Sequence, residues 1–195
     1  MKHNFARAIS LSASLFVLGC AGSGSNTDDG ASAGSCTSTI PSEGSEAPQV
    51  CLAFAQDFRG YHSWPSFDTS EDADLVGIHD GSVITQYINR IPESGSAEFP
   101  VGTLIVKEAT GGTIPHEIFA MGKRGGDYNP DTPGWEWFEL ENLESAGDKV
   151  KVIWRGFGPP LGENYGGDPD AGCNSCHTEC GNDGVCAKAL RLTGF

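Results

Sequence analysis

Close to its C-terminus the chain reads Cys173-Asn174-Ser175-Cys176-His177. That spacing narrows what the protein can be more than any other feature of its 195 residues. Two thiols three positions apart, with an imidazole directly after the second, form the attachment pattern of a c-type haem. Each thiol can add to a haem vinyl group as a thioether, and the imidazole then falls under the iron as proximal ligand. Two plainer uses compete. A zinc knot of Cys173, Cys176, His177 and Cys180 satisfies zinc's preference for four N/S ligands, but it crowds them into eight residues and lacks a distant second pair. A thioredoxin-type redox pair needs a surrounding βαβ pattern, which is missing. The preferred reading is one covalent haem c with His177 as metal ligand, which leaves redox chemistry, gas binding and electron transfer open.

The compartment is legible at the other end. Residues 1–19 have a basic start (Lys2, His3, Arg7) and then an apolar run too short to span a bilayer, the layout of a secretory signal. Val17-Leu18-Gly19-Cys20 resembles a bacterial lipobox, which implies cleavage before Cys20 and lipidation of its thiol; an ordinary signal peptide cut near Ala21 or Gly22 is the alternative. Ala21 is not the aspartate that often retains lipoproteins at the inner membrane. The expectation is a periplasmic lipoprotein on the outer membrane of a Gram-negative bacterium, touching the membrane through the lipid anchor only. Residues 20–49 hold Cys20 and a Ser/Gly-rich tether with too little apolar surface to order itself. Residues 50–195 suit one haem domain.

Export also accounts for the seven cysteines. With Cys20 on lipid and Cys173 and Cys176 on haem, Cys36, Cys51, Cys180 and Cys186 remain, an even number in an oxidising compartment. Cys36–Cys51 and Cys180–Cys186 are the expected pairs, although four cysteines allow three pairings. The formal charge is −14 from 12 basic and 26 acidic residues, and loss of the signal removes two basic ones. So acidic a chain is poorly suited to nucleic acid or anionic lipid, while a basic redox partner protein would suit it.

Along the domain, Val50, Phe54, Phe58 and Tyr61 recur at helical spacing and predict an opening helix. Strands are expected at 83–89, 102–108, 117–121, 134–140 and 150–154, separated by turns such as Gly111-Gly112 and the 125–133 stretch. Residues 156–172 form a Gly/Pro-rich approach loop, and 185–192 a short terminal helix. The fold class is α+β: mainly antiparallel β-sheet with flanking helices and a C-terminal haem-attachment loop.

Several strings together resemble the cytochrome P-460 family, including its gas-binding cytochrome c′-β branch. They are Tyr61-His62-Ser63-Trp64, Gln86-Tyr87-Ile88-Asn89, Gly102-Thr103-Leu104-Ile105-Val106-Lys107-Glu108, Met121-Gly122-Lys123 and Gly134-Trp135-Glu136-Trp137, followed by the C-x-x-C-H motif and Asn182-Asp183. The likeness covers most of residues 58–192. It implies a mainly antiparallel sheet, usually a homodimer, and a mono-haem cytochrome acting on hydroxylamine or nitric oxide. In the hydroxylamine-oxidising members the lysine of the G-T-x-I-V-K-E string is cross-linked to the porphyrin, and the matching residue is Lys107. From spacing alone Lys107 reads as a strand-end lysine reaching for water, and it is the resemblance that brings in the cross-link. The oxidising members carry a distal carboxylate where this chain has Phe119; Glu117, two residues earlier, shares that face and is the available general base. They also carry a basic residue where Ile84 stands. An apolar Phe119 cap is closer to the gas-binding relatives.

For the sixth iron position His62, His79, His116 and Met121 are the available ligands, and an open site is preferred over any of them. Arg59, Arg90, Arg124 and Arg155 are available to haem propionates. The expected function is redox chemistry on a small nitrogen species at an open distal iron. The alternatives are non-catalytic binding of nitric oxide or another diatomic ligand, and plain electron transfer.

Overall fold

The computed structural model describes residues 38–40, 50–72, 79, 81–144, 149–162 and 172–195, all within one compact unit. Cys20 and Cys36 lie outside the described residues. Strands β1 (Ser38–Ile40) and β2 (Val50–Leu52) pair antiparallel as a small ribbon. The main sheet follows chain order: β3 (Ser66–Asp68), β4 (Val83–Ile88), β5 (Leu104–Thr110), β6 (His116–Lys123), β7 (Trp135–Asn142) and β8 (Val150–Gly156). Each strand pairs antiparallel with the next, which makes a meander. Tight turns make this possible. At Gly134, which has φ +75°, an added Cβ would come within 3.0 Å of the Gly125 backbone nitrogen.

Both faces of the sheet are covered, so its central strands are apolar on both sides. Alternation along β5 sends Leu104 and Val106 to one face and Ile105 and Lys107 to the other. On the first face Phe58, Tyr61 and Trp64 from the N-terminal segment pack against Leu104, Val106, Ile118, Phe138 and Leu140. On the second, Ile88, Ile105, Met121, Trp135 and Trp137 meet Val185, Ala187, Leu190 and Leu192 from the C-terminal tail. Each such fully buried large side chain contributes roughly 1.5–3 kcal/mol. A bulge refines the second face. Glu139 opposes Trp154 while Leu140 opposes Val152, so Ile153 is the extra residue. The bulge reverses the alternation, leaving Val152 on the first core and turning Trp154 onto the second.

The expected strands correspond to β4 through β8, but the helices are much reduced. Instead of an opening helix, β2 leads into two 3-10 turns, Ala55–Phe58 and Tyr61–Ser63. Asp57 Oδ2 accepts from Phe54 N at 2.7 Å, and Gly60 at φ +65° breaks the path between the turns. Phe58 and Tyr61 still reach the core without a continuous helix, whereas Phe54 is exposed. The terminal helix expected at 185–192 is replaced by 3-10 turns at Lys188–Leu190 and Leu192–Gly194. Here the Asn182 amide donates to the Val185 and Leu190 carbonyls and accepts from Leu192 N, taking over backbone groups that a helix would use. The C-x-x-C-H segment is helical rather than a loop, as α1 (Cys173–Glu179). Among the described residues no helix is long and apolar enough to cross a membrane.

Candidate functional site

Helix α1 converts the motif's spacing into a surface. Positions i, i+3 and i+4 of a helix share a face, so Cys173, Cys176 and His177 project together. All three line one cavity of about 680 Å³, measured with its opening to solvent. Cys173 and Cys176 are free thiols. Burial pushes the Cys173 thiol up to about 12. Cys180 at the helix end is bonded to Cys186, with Cα atoms 4.8 Å apart. Its sulfur is therefore not a thiolate, and the four-ligand zinc set is broken. The same bond rules out a metal centre at His177, Cys180 and Cys186, whose donor atoms cluster within 4.8 Å. Cys51 is also in a disulfide, with its partner outside the described residues.

The opposite wall is the second face of the sheet. Gln86, Lys107 and Phe119 stand directly across from one another on β4, β5 and β6, and all three line the cavity. Ile105, Met121 and Trp137 form the next row. Lys107 is only 8% exposed, and its Nζ has no hydrogen-bond partner among the described residues. Burial drives the ammonium well below its usual value, against the attraction of Glu117 and Cys173. A neutral amine is favoured there, 4.9 Å from the Phe119 ring centroid.

His177 is held by a chain of contacts that ends in a buried ion pair. Its Nδ1 donates to the Gly184 carbonyl at 2.7 Å, which leaves Nε2 as the unprotonated nitrogen. Burial lowers its pKa to about 4, opposed by that hydrogen bond and aided by Lys107. The Trp137 ring lies 4.4 Å from the imidazole. Gly184 has φ +81°, and a Cβ there would meet the Trp135 ring at 3.4 Å. The carbonyl of the preceding residue, Asp183, accepts from Trp135 Nε1 at 2.6 Å. The Asp183 carboxylate takes two hydrogen bonds from Lys123 Nζ, at 2.7 and 2.8 Å, and one from Phe99 N. Asn182 and Asp183 both adopt φ above +40°, a conformation that this pairing holds in place.

Asn174, between the two thiols, anchors α1 itself. Its Oδ1 accepts from Trp137 Nε1 at 2.7 Å, Asn129 Nδ2 at 2.9 Å and Thr132 Oγ1 at 3.1 Å, and its Nδ2 donates to Asn129 Oδ1. Sequence reasoning missed Asn129, Thr132 and Asn174 because polar partners brought together from distant turns follow no period.

Other expected residues separate. Glu117 is buried on the face shared with Phe119 and Met121, where its charge acts on Lys107, but it is not among the cavity's described lining residues. His62 and His116 lie away from the cavity, both with Nε2 against the Glu108 carboxylate. Of the remaining potential axial ligands, His79 and Met121 line the cavity. None of the four arginines does so. Arg155 and Arg124 pair with buried Glu136, and Arg90 donates to the Val101 carbonyl.

Chemically, the cavity offers two thiols and a neutral imidazole on one wall and an unpartnered amine on the other, a set able to hold an iron-centred group covalently and axially. No protein-family model, curated protein or solved structure matches this chain.

Proposed function

We propose that the protein is an exported mono-haem c-type cytochrome of P-460 type, handling a small nitrogen species such as hydroxylamine or nitric oxide at an open iron position. One observation carries the reading: Cys173, Cys176, His177 and the unpartnered amine of Lys107 open onto the same cavity. The fit to haem c is good on this chain's own terms. The thiols are unpaired and adjacent, and His177 presents Nε2 because Gly184 occupies Nδ1. The cavity is lined mainly by apolar and aromatic side chains with a few convergent polar groups, the character of a cofactor site. When bound, the haem supplies the redox-active iron. The residues attach it, fix the proximal imidazole, and exclude water with Phe119, Met121 and Trp137. Lys107, buried and favoured as the free amine, is suited to bond with the porphyrin edge, where an N–C bond would replace one N–H and one porphyrin C–H and pass two electrons to an external oxidant of the peroxide class.

A second reading, gas binding without turnover, draws on the distal wall. Phe119 lines the cavity whereas Glu117, the expected proton acceptor, does not. A basic redox partner, a homodimer and a lipid anchor at Cys20 remain parts of the proposal.

The test is the absorption spectrum of the ferrous protein together with the mass of the proteolytic peptide containing Lys107. A red-shifted Soret band with haem mass on that peptide supports the P-460 reading. An ordinary high-spin c-type spectrum with unmodified Lys107 shifts the function to gas binding. A purified protein with no covalent haem, expressed with a c-type maturation system, overturns both.

A further inference from the structure

Resting on the haem reading above, we propose that His79 is the distal hydrogen-bond donor of the cavity, meeting the diatomic or small nitrogen ligand that occupies the iron's open position. His79 belongs to neither wall described so far. It comes from the connection between β3 and β4, yet it lines the same cavity as His177. Its ring lies 5.5 Å from that of Phe119, tilted by 48°, so the two side chains form one polar-apolar patch. Its Nδ1 is buried with no hydrogen-bond partner among the described residues. One ring nitrogen is thus buried without a partner among the described residues, which is costly unless something else in the cavity meets it.

The surroundings favour the neutral ring. Burial pulls its pKa well below the usual value, and Lys107 and His177 act in the same direction. A neutral imidazole has one N–H to give and one lone pair to receive. Phe119 can exclude water but cannot hydrogen-bond, and His177 already spends its Nδ1–H on Gly184. Lys107 is the group suited to the porphyrin edge. His79 and the Gln86 amide remain to supply polarity, and His79 is the one of the two with a buried nitrogen that has no partner among the described residues. Distal polarity decides whether a small ligand is merely admitted or retained.

Carbon monoxide and nitric oxide serve as probes on the haem-loaded full-length protein. A donated hydrogen bond draws electron density toward the bound ligand and lowers its C–O stretching frequency. His79→Ala is expected to raise that frequency and to speed dissociation of both gases about tenfold, the effect of losing one ordinary hydrogen bond. His79→Gln, which keeps an N–H donor, is expected to restore most of both effects, which a merely structural role would not do. If His79→Ala does not accumulate, His79→Phe gives the same comparison.

Frequencies unchanged and rates within twofold of wild type would overturn the proposal. So would a wild-type iron that is low-spin and binds carbon monoxide only after His79 is replaced, because His79 would then be a ligand. Absence of haem from the wild-type protein would overturn the underlying reading and this one with it, and it is seen before any variant is made.

Discussion

Two buried ionisable side chains on opposite faces of the sheet answer to burial in opposite directions. Burial pulls the Lys107 pKa down, toward the free amine, and pushes the Tyr61 pKa up, toward the protonated phenol. Tyr61 is fully enclosed, its hydroxyl accepts from Asn142 Nδ2 at 2.8 Å, and burial raises its pKa above the usual value of 10.0. In the unfolded chain it titrates near its ordinary value, so above pH 10 the unfolded state binds fewer protons than the folded one. Stability must then fall as pH rises from that point, at up to about 1.4 kcal/mol per pH unit from this group. Tyr61→Phe is expected to cost about 1 kcal/mol at pH 7, through the lost hydrogen bond, and to flatten the decline above pH 10. Urea titrations at pH 7, 10 and 11 measure both, and an undiminished alkaline slope in the variant would refute the assignment. On the other face Lys107→Met replaces an unpartnered amine by an apolar chain of similar length. Urea unfolding of the haem-free protein at pH 7 should show no loss of stability and a gain of about 1 kcal/mol, while the variant still takes up haem through its two thiols. A loss exceeding 1 kcal/mol would mean that the amine has a stabilising partner.

At the scale of elements, what could be read from the sequence depended on whether an element's contacts are periodic. Strands β4 to β8 are short apolar or alternating runs between glycine-rich turns, and that pattern alone places them to within a few residues. The same logic puts Lys107 and Phe119 on one face, where the register aligns them directly. It fails where side chains rather than spacing decide. The run Val50, Phe54, Phe58, Tyr61 mimics a helix until Asp57 and Gly60 divide it. The bulge that re-aims Trp154 leaves no mark in β8, and no period brings His79 from its loop into the cavity. Helix α1 illustrates both cases. Its thiols and imidazole share a face by helical spacing, but its seating depends on Asn174, an unremarkable residue inside the motif. Asn174→Leu removes one donated and three accepted hydrogen bonds and strands the Trp137 N–H and the Asn129 Oδ1. A loss of about 2–4 kcal/mol is expected by urea unfolding, together with a lower ratio of Soret to protein absorbance. Haem content and stability both equal to wild type would show that α1 is seated by other contacts.

For the described part of the molecule as a whole, the sheet acts as a partition, with its first face covered by the N-terminal segment and its second by the tail that carries the site. The tail is joined to the sheet by apolar packing and by the Lys123–Asp183 pair, whose side chains are 4% and 5% exposed. Such a pair contributes little net stability compared with an apolar substitute, yet breaking it strands a charge in the interior. Asp183→Asn leaves Lys123 with a neutral amide and the Pro133 carbonyl, and should cost about 3–5 kcal/mol. The same change loosens the turn that presents the Gly184 carbonyl to His177, so haem incorporation should fall with stability. Lys123→Met in the same chain removes the stranded ammonium, and the double variant should be more stable than the sum of the single losses by roughly 0.5–3 kcal/mol. A urea double-mutant cycle at pH 7, with the Cys180–Cys186 bond intact, measures the coupling. If Asp183→Asn lies within 1 kcal/mol of wild type, or the two losses simply add, the pair does not hold the tail, and the position of His177 rests on the apolar core and the disulfide alone.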